Sequence, residues 1–426
     1  MMTLELHELA SAVRARRDAH VRMLSALVAF PSLLGQESDA QRYMARTFTG
    51  MGLELDEFEI DDDALRQHPA YAPSLTSYAG RPNVVGIHRP RNGTTGRSLI
   101  LNGHIDVVPV GDERLWSSPP FSPVVRDGRL YGRGAADMKA GIVAYTLAMR
   151  TLFELGFEPA APVYLQSVIE EECTGNGALG CLMRGYRAEA AIIPEPSDTI
   201  RDAQLGVMWL TLHVQGVPAH AAVAPDGSSA IDFAGYLVGA MKGLAEQWNG
   251  SACRHARFAD HAHPINFNLG ELRGGEWPSS VPTQCEARIR VSFYPGTTPE
   301  QALAEIRATL ADAHRQRPGG ALFNWSIDNA GGFRAEGFVL DPGIPLIETL
   351  SLCHRDVHGV APERFAFTGT TDARYFNLYG ATPAVCYGPP GENIHGVDEY
   401  VAIDDMLNAT TVIAWFIARW CGLNRR

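Results

Sequence analysis

The hydrophobic positions at the start of the chain repeat every three or four residues. This spacing places them on one side of a helix and predicts helical structure from residue 6 to residue 28, ended by Pro31. The repeating positions are Leu6, Leu9, Val13, Val21, Leu24 and Val28.

Short apolar runs of the kind found in buried strands follow a polar, proline-rich stretch at residues 61–82. These runs are Asn83–Ile87, Ser98–Val108, Val163–Ile169 and Ala190–Ile193. Residues 141–155, between the second and third run, have helical spacing. Strands that alternate with helices predict an α/β fold with a buried sheet.

The pattern changes after Pro196. Residues 207–214 alternate roughly with period two, and strands at 266–269 and 286–293 lie between helical patterns at 230–244 and 299–313. This βαββαβ order predicts an α+β, ferredoxin-like domain at residues 205–333. We expect it to be inserted in a discontinuous catalytic domain made of residues 1–204 and 334–426, which ends in an apolar helix at 406–420.

Composition narrows the possible functions. The chain has 426 residues, of which 46% are hydrophobic and 20% charged, so it can form a large core and is not disordered throughout. Its net charge of −12 makes it a poor general binder of nucleic acid. No apolar stretch reaches the roughly 18 residues that span a bilayer, so we expect no membrane partner. Seven scattered cysteines without a CxxC pair indicate a reducing, cytoplasmic location and argue against a thiolate zinc site.

Side chains that can bind metal occur in five segments. His104 and Asp106 form His-x-Asp at the end of a predicted strand, where residues two apart point the same way. Asp137 precedes a helix, and the other segments contain the run Glu170–Glu172, Glu195 and His395. Each has an ordinary interpretation: a hydrogen-bonded His-Asp pair, a helix N-cap, a solvated loop, a turn residue and a surface histidine.

Together these segments favour a metal site. Four of the five follow strands of the predicted sheet, and ligands collect outside the carboxyl ends of such strands. Two histidines and three carboxylates suit zinc or a similar divalent ion. The three carboxylates carry a charge of −3, which two divalent ions would change to +1, so the site would attract an anionic substrate group.

The ordered motifs of the chain resemble those of the M20 metallopeptidases and their amidohydrolase relatives, such as acetylornithine deacetylase and succinyl-diaminopimelate desuccinylase. The resemblance covers nearly the whole chain and implies a zinc-exopeptidase-like catalytic domain with an inserted lid and dimerisation domain. The motifs are GHIDVVP, YGRGAADMKAG, EEECTGNGA, PEPSD, GVPAHAA, FTGTTDARYF and YGPPGENIHGVDEYV.

The resemblance implies two divalent metal ions, with zinc as the first choice and cobalt or manganese as alternatives. One ion would be held by His104, Asp137 and Glu195. The other would be held by Asp137, Glu172 and His395, so Asp137 would bridge the two ions. Asp106 would orient His104, and the peptide bond between Asp137 and Met138 would be cis, as is usual in this family.

Further roles follow from the same resemblance. Glu171 would be the general base that takes a proton from water and passes it to the leaving amine. His220 would reach the active site of a partner subunit, which implies a homodimer formed through the inserted domain. The expected substrate-binding residues are Thr370, Thr371, Asp372, Arg374 and Gly388. Where family members often carry an arginine for the substrate carboxylate this chain has Ser292, with Arg288 and Arg290 nearby.

The implied function is metal-dependent hydrolysis of the amide bond of a small N-acyl amino acid or related N-acyl amine, by water that two metal ions activate. An exopeptidase that acts on di- or tripeptides is the alternative. A non-catalytic carrier protein of the same family, with a degenerate metal site, is a further alternative. Such a protein should have lost a metal ligand or the general base, and this sequence retains all of these residues. The absence of GxSxG argues against a serine hydrolase.

A nucleotide-binding oxidoreductase is a remote alternative. Residues 175–180 read GxGxxG after a predicted strand, and Glu195 follows Gly175 at the distance expected of the ribose-binding acid. However, the three carboxylates at residues 170–172 would lie close to the pyrophosphate and repel it.

Overall fold

The computed structural model describes residues 4–91 and 93–426. The first helical pattern forms two helices that meet at Arg16. The helices are α1 (Leu6–Ala15), α2 (Arg17–Val28), α3 (Ser38–Gly50), α4 (Asp62–Leu65), α5 (Ala140–Glu154), α6 (Asn176–Met183), α7 (Ala230–Asn249), α8 (Pro299–Gln316), α9 (Pro345–His358), α10 (Ala373–Tyr379) and α11 (Ile403–Cys421).

The strands fall into a large sheet, a smaller sheet in the middle of the chain and two short ladders. They are β1 (Glu54–Phe58), β2 (Asn83–His88), β3 (Leu99–His104), β4 (Val124–Arg126), β5 (Arg129–Tyr131), β6 (Phe157–Pro159), β7 (Val163–Val168), β8 (Ala191–Ile193), β9 (Ile200–Gln204), β10 (Gly206–Gln215), β11 (Phe267–Gly274), β12 (Gln284–Phe293), β13 (Asn324–Asp328), β14 (Arg334–Ala335), β15 (Phe338–Val339), β16 (Arg364–Phe367), β17 (Ala384–Cys386), β18 (Gly391–Glu392), β19 (Tyr400–Ala402) and β20 (Leu423–Arg425).

The large sheet has the strand order β1-β2-β7-β3-β8-β17-β9-β15, and β16 pairs with β9. Its centre is parallel, because β3 pairs in parallel with both β7 and β8, and β8 with β17. Every residue of β2, β3 and β8 is buried, which explains their nearly continuous apolar sequences. Helices α5 and α11 pack against each other and against β3, so the expected α/β fold is confirmed.

The smaller sheet has the order β11-β12-β10-β13 and is antiparallel. Helices α7 and α8 pack on one of its faces and share with it a separate hydrophobic cluster, which gives the α+β arrangement expected of the inserted segment. In β12 the odd-numbered residues 285–293 are buried, whereas Arg288 and Arg290 alternate with them and lie on the opposite face. We call this opposite face the open face. The domain limits at 204/205 and 333/334 stay a prediction.

Two chain segments join the large sheet to the smaller sheet. Strand β9 of the large sheet leads directly into β10, and β14, which pairs with β10, leads back to β15. A third sheet, β18-β19-β5-β4, supports the loop between β18 and β19. Within the part of the chain that the structure describes, no helix is both long and apolar enough to cross a membrane.

Candidate metal centre

Three strand ends bring the candidate ligands together. His104 is the last residue of β3, Glu171 and Glu172 follow β7, and Glu195 follows β8. Because β3 lies between β7 and β8 and runs parallel to both, their carboxyl ends meet at one edge of the sheet. This is the edge where ligands bind in open α/β sheets.

His104 lies at the centre of the cluster and is fully buried. Its Nε2 atom is 3.2 Å from Oδ1 of Asp137, 3.8 Å from Oε1 of Glu195 and 3.9 Å from Oε2 of Glu171. Three carboxylates therefore face one ring nitrogen. The ligand atoms of His104, Glu171 and Glu195 form one group that could hold a metal ion, and those of His104, Asp137 and Glu172 form another.

Asp137 faces two histidines, one with each carboxylate oxygen. Its Oδ1 lies toward His104, and its Oδ2 is 3.5 Å from Nε2 of His395. The same Nε2 of His395 is 3.1 Å from Oε1 of Glu172. This arrangement suits a carboxylate shared between two cation sites. The His395 side chain is 53% exposed, so this end of the cluster opens toward solvent.

A buried carboxylate holds the turn that carries Asp137. Oε1 of Glu399 accepts hydrogen bonds from the backbone N–H groups of Ala136 and Asp137, at 2.9 and 3.0 Å. The turn also contains the cis peptide bond between Asp137 and Met138. Glu399 therefore fixes the backbone of Asp137.

Arg133 connects this turn to the loop of His395. Its Nη1 donates to Oε2 of Glu399 at 2.6 Å, and its Nη2 donates to the carbonyl oxygen of Gly396 at 3.0 Å. Both side chains of the pair are 1% exposed. Asp137 and His395 thus share one buried support, which the sequence motifs contain but whose role the sequence did not reveal.

Asp106 contacts His104 through its main chain and the two following glutamates through its side chain. Nδ1 of His104 is 3.0 Å from the backbone carbonyl oxygen of Asp106 and 3.7 Å from its Oδ1. The Asp106 carboxylate instead accepts from the N–H groups of Glu171 and Glu172, at 3.2 and 3.0 Å. The main chain of Asp106 thus contacts His104 and its carboxylate holds the two glutamates, and its role in orienting His104 stays a prediction.

Glu170 points away from the metal ligands. Its backbone has a φ of 63°, a left-handed turn that directs the two following glutamates to the site. Its carboxylate lies within 3.1 Å of Arg81 and accepts from the hydroxyl groups of Ser74 and Tyr78. Glu37 binds the same guanidinium at 2.7 Å. The three adjacent carboxylates are thus divided between a structural ion pair and the site.

Small residues allow the loop of Glu195 to pack closely. A Cβ atom at Gly388 would lie 2.3 Å from the carbonyl oxygen of Pro194, and one at Gly141 would lie 2.0 Å from the same oxygen. Gly388 therefore packs directly against the loop of Glu195, and its expected place in the substrate pocket stays a prediction.

The charges of the cluster explain the shifted pKa values of its histidines. Burial disfavours the charged ring of His104, but the hydrogen bond with Asp137 and the other carboxylates outweigh this effect and raise its pKa. The Glu172 carboxylate raises the pKa of His395 to about 11. The two histidines in turn lower the pKa of Asp137, although burial opposes this.

Burial also raises the pKa values of three carboxyl groups of the cluster, those of Asp106, Glu195 and Glu171. Burial raises the pKa of Asp106 to about 7 and that of Glu195 to about 8, with a further increase at Glu195 from the Asp137 charge. Burial raises the pKa of Glu171 as well. These shifts reflect the free-energy cost of burying a charged carboxylate, to which the charges of neighbouring carboxylates add.

Unpartnered oxygen atoms show that the donor set fits cations. Oε1 of Glu171 and both carboxylate oxygens of Asp372 are buried without a hydrogen-bond partner among the described residues. Buried carboxylates are costly unless they are paired or bind a metal. Histidine nitrogen and carboxylate oxygen are also the donors that zinc prefers in catalytic sites.

The expected substrate-binding segment lies beside the cluster. Thr371 donates its hydroxyl to Gln204 at 2.6 Å, and Arg374 donates to the carbonyl oxygens of Thr371 and Thr174. Thr370 accepts from both Gln204 and Arg374. These polar groups are therefore largely occupied within the chain, whereas the Asp372 carboxylate is not.

His220 lies away from the cluster. It is exposed at the start of a short turn, where its Nδ1 accepts from the N–H of Ala222 at 3.0 Å. Its backbone pairs with Ser280 in the inserted domain. The structure does not bring it to the metal ligands of its own chain, and its reach to a partner subunit stays a prediction.

The glycine motif at residues 175–180 has a packing role. A Cβ atom at Gly177 would lie 2.1 Å from the carbonyl oxygen of Ile169, and one at Gly175 would lie 2.2 Å from Nη2 of Arg374. The space beside these glycines is filled by the protein itself. This observation gives no support to a dinucleotide site.

Comparison with known proteins agrees with the site. Residues 100–419 match Peptidase family M20/M25/M40. The N-formyl-4-amino-5-aminomethyl-2-methylpyrimidine deformylase of Bacillus subtilis (strain 168) is 29% identical over 99% of this chain and 99% of its own length. A protein with the same description from Halalkalibacterium halodurans is 26% identical over 99% of this chain and 98% of its own length.

Solved structures share the fold. The di-peptidase Dug1p from Saccharomyces cerevisiae aligns with a TM-score of 0.78 at 13% identity, and covers 99% of both chains. Human carnosine dipeptidase 1 aligns with a TM-score of 0.77 at 14% identity, over 98% of this chain and all of the other.

The family match extends over the segments that supply all five candidate metal ligands, from His104 to His395. Both deformylase relatives also span almost the full chain. The chain therefore belongs to Peptidase family M20/M25/M40 and is a hydrolase that cleaves a carbon–nitrogen amide bond.

Proposed function

We propose that this enzyme is a deformylase that hydrolyses the formamide of a small N-formyl amine whose amine part carries a pyrimidine ring. The names of its two full-length relatives support this substrate class. The observation that carries the chemistry is the position of Asp137, with one carboxylate oxygen toward His104 and the other toward His395.

We infer two cation sites that share Asp137. His104 and Glu195 complete the first set, and Glu172 and His395 complete the second. When bound, two such ions polarise the amide carbonyl and lower the pKa of water, so that hydroxide is available at neutral pH. Zinc is the first choice for this mixture of imidazole and carboxylate ligands.

Glu171 is proposed to be the general base. Its Oε2 lies 3.9 Å from His104 Nε2, while its Oε1 is buried without a hydrogen-bond partner among the described residues. A carboxylate with a free oxygen beside the reacting centre can take a proton from water and deliver it to the nitrogen of the leaving amine. The reaction consumes one water molecule and yields formate and the free amine.

Asp106 and Glu399 are proposed to position these groups. The Asp106 carboxylate holds the backbone N–H groups of Glu171 and Glu172, and Glu399 holds that of Asp137. Such supporting hydrogen bonds restrict the ligands to one geometry before substrate binds. The base and the shared ligand therefore need little rearrangement during turnover.

A homodimer formed through the inserted domain is proposed to complete the site. The tetrahedral oxyanion of amide hydrolysis needs a hydrogen-bond donor, and His220 is an exposed imidazole that its own chain does not bring to the ligands. A second copy would supply this histidine. Asp372, whose carboxylate has no hydrogen-bond partner among the described residues, is proposed to contact substrate from the catalytic domain. We also propose a cytoplasmic location, supported by cysteines that are free in the described structure.

A substrate panel tests the proposal. Wild-type enzyme loaded with zinc, cobalt or manganese is assayed on N-formyl, N-acetyl and N-succinyl amines and on dipeptides. We expect the N-formyl compounds, and among them those with an aminopyrimidine, to have the largest kcat/KM. Cleavage of dipeptides alone would contradict the assignment and favour the exopeptidase alternative, which the structural neighbours support only through their fold.

A further inference from the structure

Two histidines of helix α9 that do not belong to the metal cluster lie in contact with each other. His354 and His358 are four residues apart, so they occupy one face of the helix on successive turns. Their rings stack with a centroid distance of 4.2 Å and an angle of 20° between the ring planes. Two histidines at this spacing on one helix face can bind the same zinc ion.

His354 is held in the orientation of a metal ligand. The residue is 5% exposed, and its Nδ1 lies 2.8 Å from the hydroxyl oxygen of the buried Tyr387. Within residues 4–91 and 93–426, its Nε2 has no hydrogen-bond partner. A metal-binding histidine typically donates the N–H of its other ring nitrogen to an oxygen atom, which fixes the tautomer and leaves one nitrogen free for the ion. The contact with Tyr387 provides this support.

Two carboxylates from other chain segments lie beside the histidine pair. Asp198 is exposed in the turn that follows Glu195, and Asp405 is half-buried in the first turn of α11, which packs against α9. In the part of the chain that the structure describes, neither carboxylate makes a hydrogen bond or an ion pair. Both side chains are therefore free to turn toward an ion.

Electrostatic effects connect the four side chains. Burial, together with the neighbouring His358, lowers the pKa of His354 to about 4, and burial lowers the pKa of His358. The Asp198 charge opposes this effect at both rings, and it adds to burial in raising the pKa of Asp405. Both rings are thus neutral at neutral pH, which is the form that binds metal, while the two carboxylates repel each other.

The position of the pair also favours a cation. His358 is the last residue of α9, where the aligned peptide dipoles of the helix place partial negative charge. Two imidazoles and two carboxylates form a four-coordinate donor set of the kind that binds zinc. A divalent ion would remove the repulsion between Asp198 and Asp405 and provide the partner that the four side chains lack.

We propose that His354 and His358 bind a further divalent metal ion of the zinc type, with Asp198 and Asp405 as carboxylate ligands. The site is separate from the metal cluster, and the inference does not depend on the proposed function. The two rings are already in contact in this structure, and the carboxylates close on the ion as it binds.

Such an ion would fasten three chain segments together. The backbone N–H of Gly388 donates to the carbonyl oxygen of Ser197 at 2.9 Å, and that of Tyr387 donates to Ile193 at 3.0 Å, so the segment of Tyr387 and the turn of Asp198 are already joined. The ion would attach both to α9 and α11. We therefore expect the site to affect stability and to leave turnover unchanged.

The test counts zinc in the full-length enzyme with and without His358. Wild type and His358→Gln are brought to equilibrium by dialysis against the same zinc solution, and bound metal is measured by mass spectrometry. We expect the variant to hold one zinc ion fewer per chain, whatever the number in the metal cluster. At saturating zinc its kcat should equal that of the wild type, and zinc should raise its melting temperature by less.

His263→Gln is the matched control. His263 is an exposed histidine of the inserted domain whose Nδ1 lies 3.9 Å from Oε2 of Glu246. It has a carboxylate neighbour as His358 does, but it is not part of a stacked histidine pair among the described residues. Its substitution should leave the zinc content unchanged.

Tyr387→Phe tests the support of His354 without removing a ligand. The ring keeps its size, so the fold should be retained, but Nδ1 of His354 loses its oxygen partner. We expect the affinity for the further ion to fall by about 10- to 100-fold, the usual cost of changing a group that orients a metal ligand. Unchanged zinc affinity would contradict this orientation.

Three results would overturn the site. The first is equal zinc content in wild type and His358→Gln. The second is a loss of zinc accompanied by a loss of kcat, because the ion would then come from the metal cluster. The third is binding only at zinc concentrations far above those that saturate the cluster, which would make the ion adventitious. Failure of deformylation with an unchanged zinc difference would refute the proposed function alone.

Discussion

The metal cluster and the open face of the inserted sheet differ in whether their polar side chains have partners within one chain. In the cluster, every predicted ligand lies within 4 Å of another member, and buried carboxylates hold the backbone of Glu171, the proposed base, and of Asp137. On the inserted domain, His220 is exposed and Arg290 has no partner among the described residues. The first region is preorganised, and the second has groups available for further contacts.

This contrast suggests a division of labour. The proposed function assigns the chemistry to the ends of rigid parallel strands, and it assigns contacts with substrate or with a second copy to the inserted domain. Variants of the first region should therefore lose metal or turnover, and variants of the second should change kcat or selectivity while the metals stay bound.

The largest effect is expected for Asp137→Ala. Removal of the shared carboxylate takes one ligand from each proposed cation site, so both ions should be lost and turnover should fall to background. Metal content after gel filtration, measured by mass spectrometry, checks this. Retention of two ions per chain would contradict the shared role.

Glu171→Gln should reduce kcat by about 10²–10⁴, the usual contribution of general acid–base catalysis, with metal content near that of the wild type. Pre-steady-state and steady-state assays on the N-formyl substrate measure the effect. An active variant would remove Glu171 from the role of base.

Glu170→Gln is the matched control for this variant. Glu170 adjoins Glu171 but binds Arg81, so its substitution should lower the melting temperature and leave the kcat of the folded, metal-loaded enzyme close to that of the wild type. The remaining ion pair with Glu37 limits the loss of stability. A large loss of kcat without a change in stability would show that the two adjacent glutamates are assigned the wrong way round.

His220→Ala should lower kcat by about 10²–10³, the cost of losing one donor to an oxyanion, with both metals retained. If the histidine comes from a partner, mixing inactive His220→Ala and Glu171→Gln chains should restore part of the activity, because a mixed dimer has one intact composite site. No recovery in verified mixed dimers would place the histidine outside the partner's site.

A smaller effect is expected for Glu399→Gln. The amide keeps acceptors for the N–H groups of Ala136 and Asp137 but loses the charge that binds Arg133. Metal affinity should fall by about 10- to 100-fold, as is typical when a group supporting a ligand is changed. Addition of zinc should restore activity at saturation. Unchanged zinc affinity would limit Glu399 to a folding role.

The sequence predicted the α/β and α+β units because their periodicities are local. The apolar runs became β2, β3, β7 and β8, and the helical pattern at 141–155 became α5 with a shift of one residue at each end. It did not predict the break at Arg16 between α1 and α2, because the apolar spacing continues on both sides.

Metal-capable residues were recognisable because they follow strands, but their supporting contacts were not. Glu170 was expected only as a member of a glutamate run, and its partner Arg81 lies 89 residues earlier. The support of Asp137 comes from Glu399, 262 residues later. Such long-range pairs leave no periodic signal in a single sequence, and the backbone contact of Asp106 with His104 depends on a loop geometry that residue types do not specify.

The most direct test of the account is a crystal structure of the zinc-loaded wild type, with anomalous diffraction recorded at the zinc edge. We expect two anomalous peaks per chain in the metal cluster, one beside His104 and Glu195 and the other beside Glu172 and His395, with a different oxygen of Asp137 bound to each. A single peak in the cluster at saturating zinc, or two peaks there that do not share Asp137, would contradict the central claim.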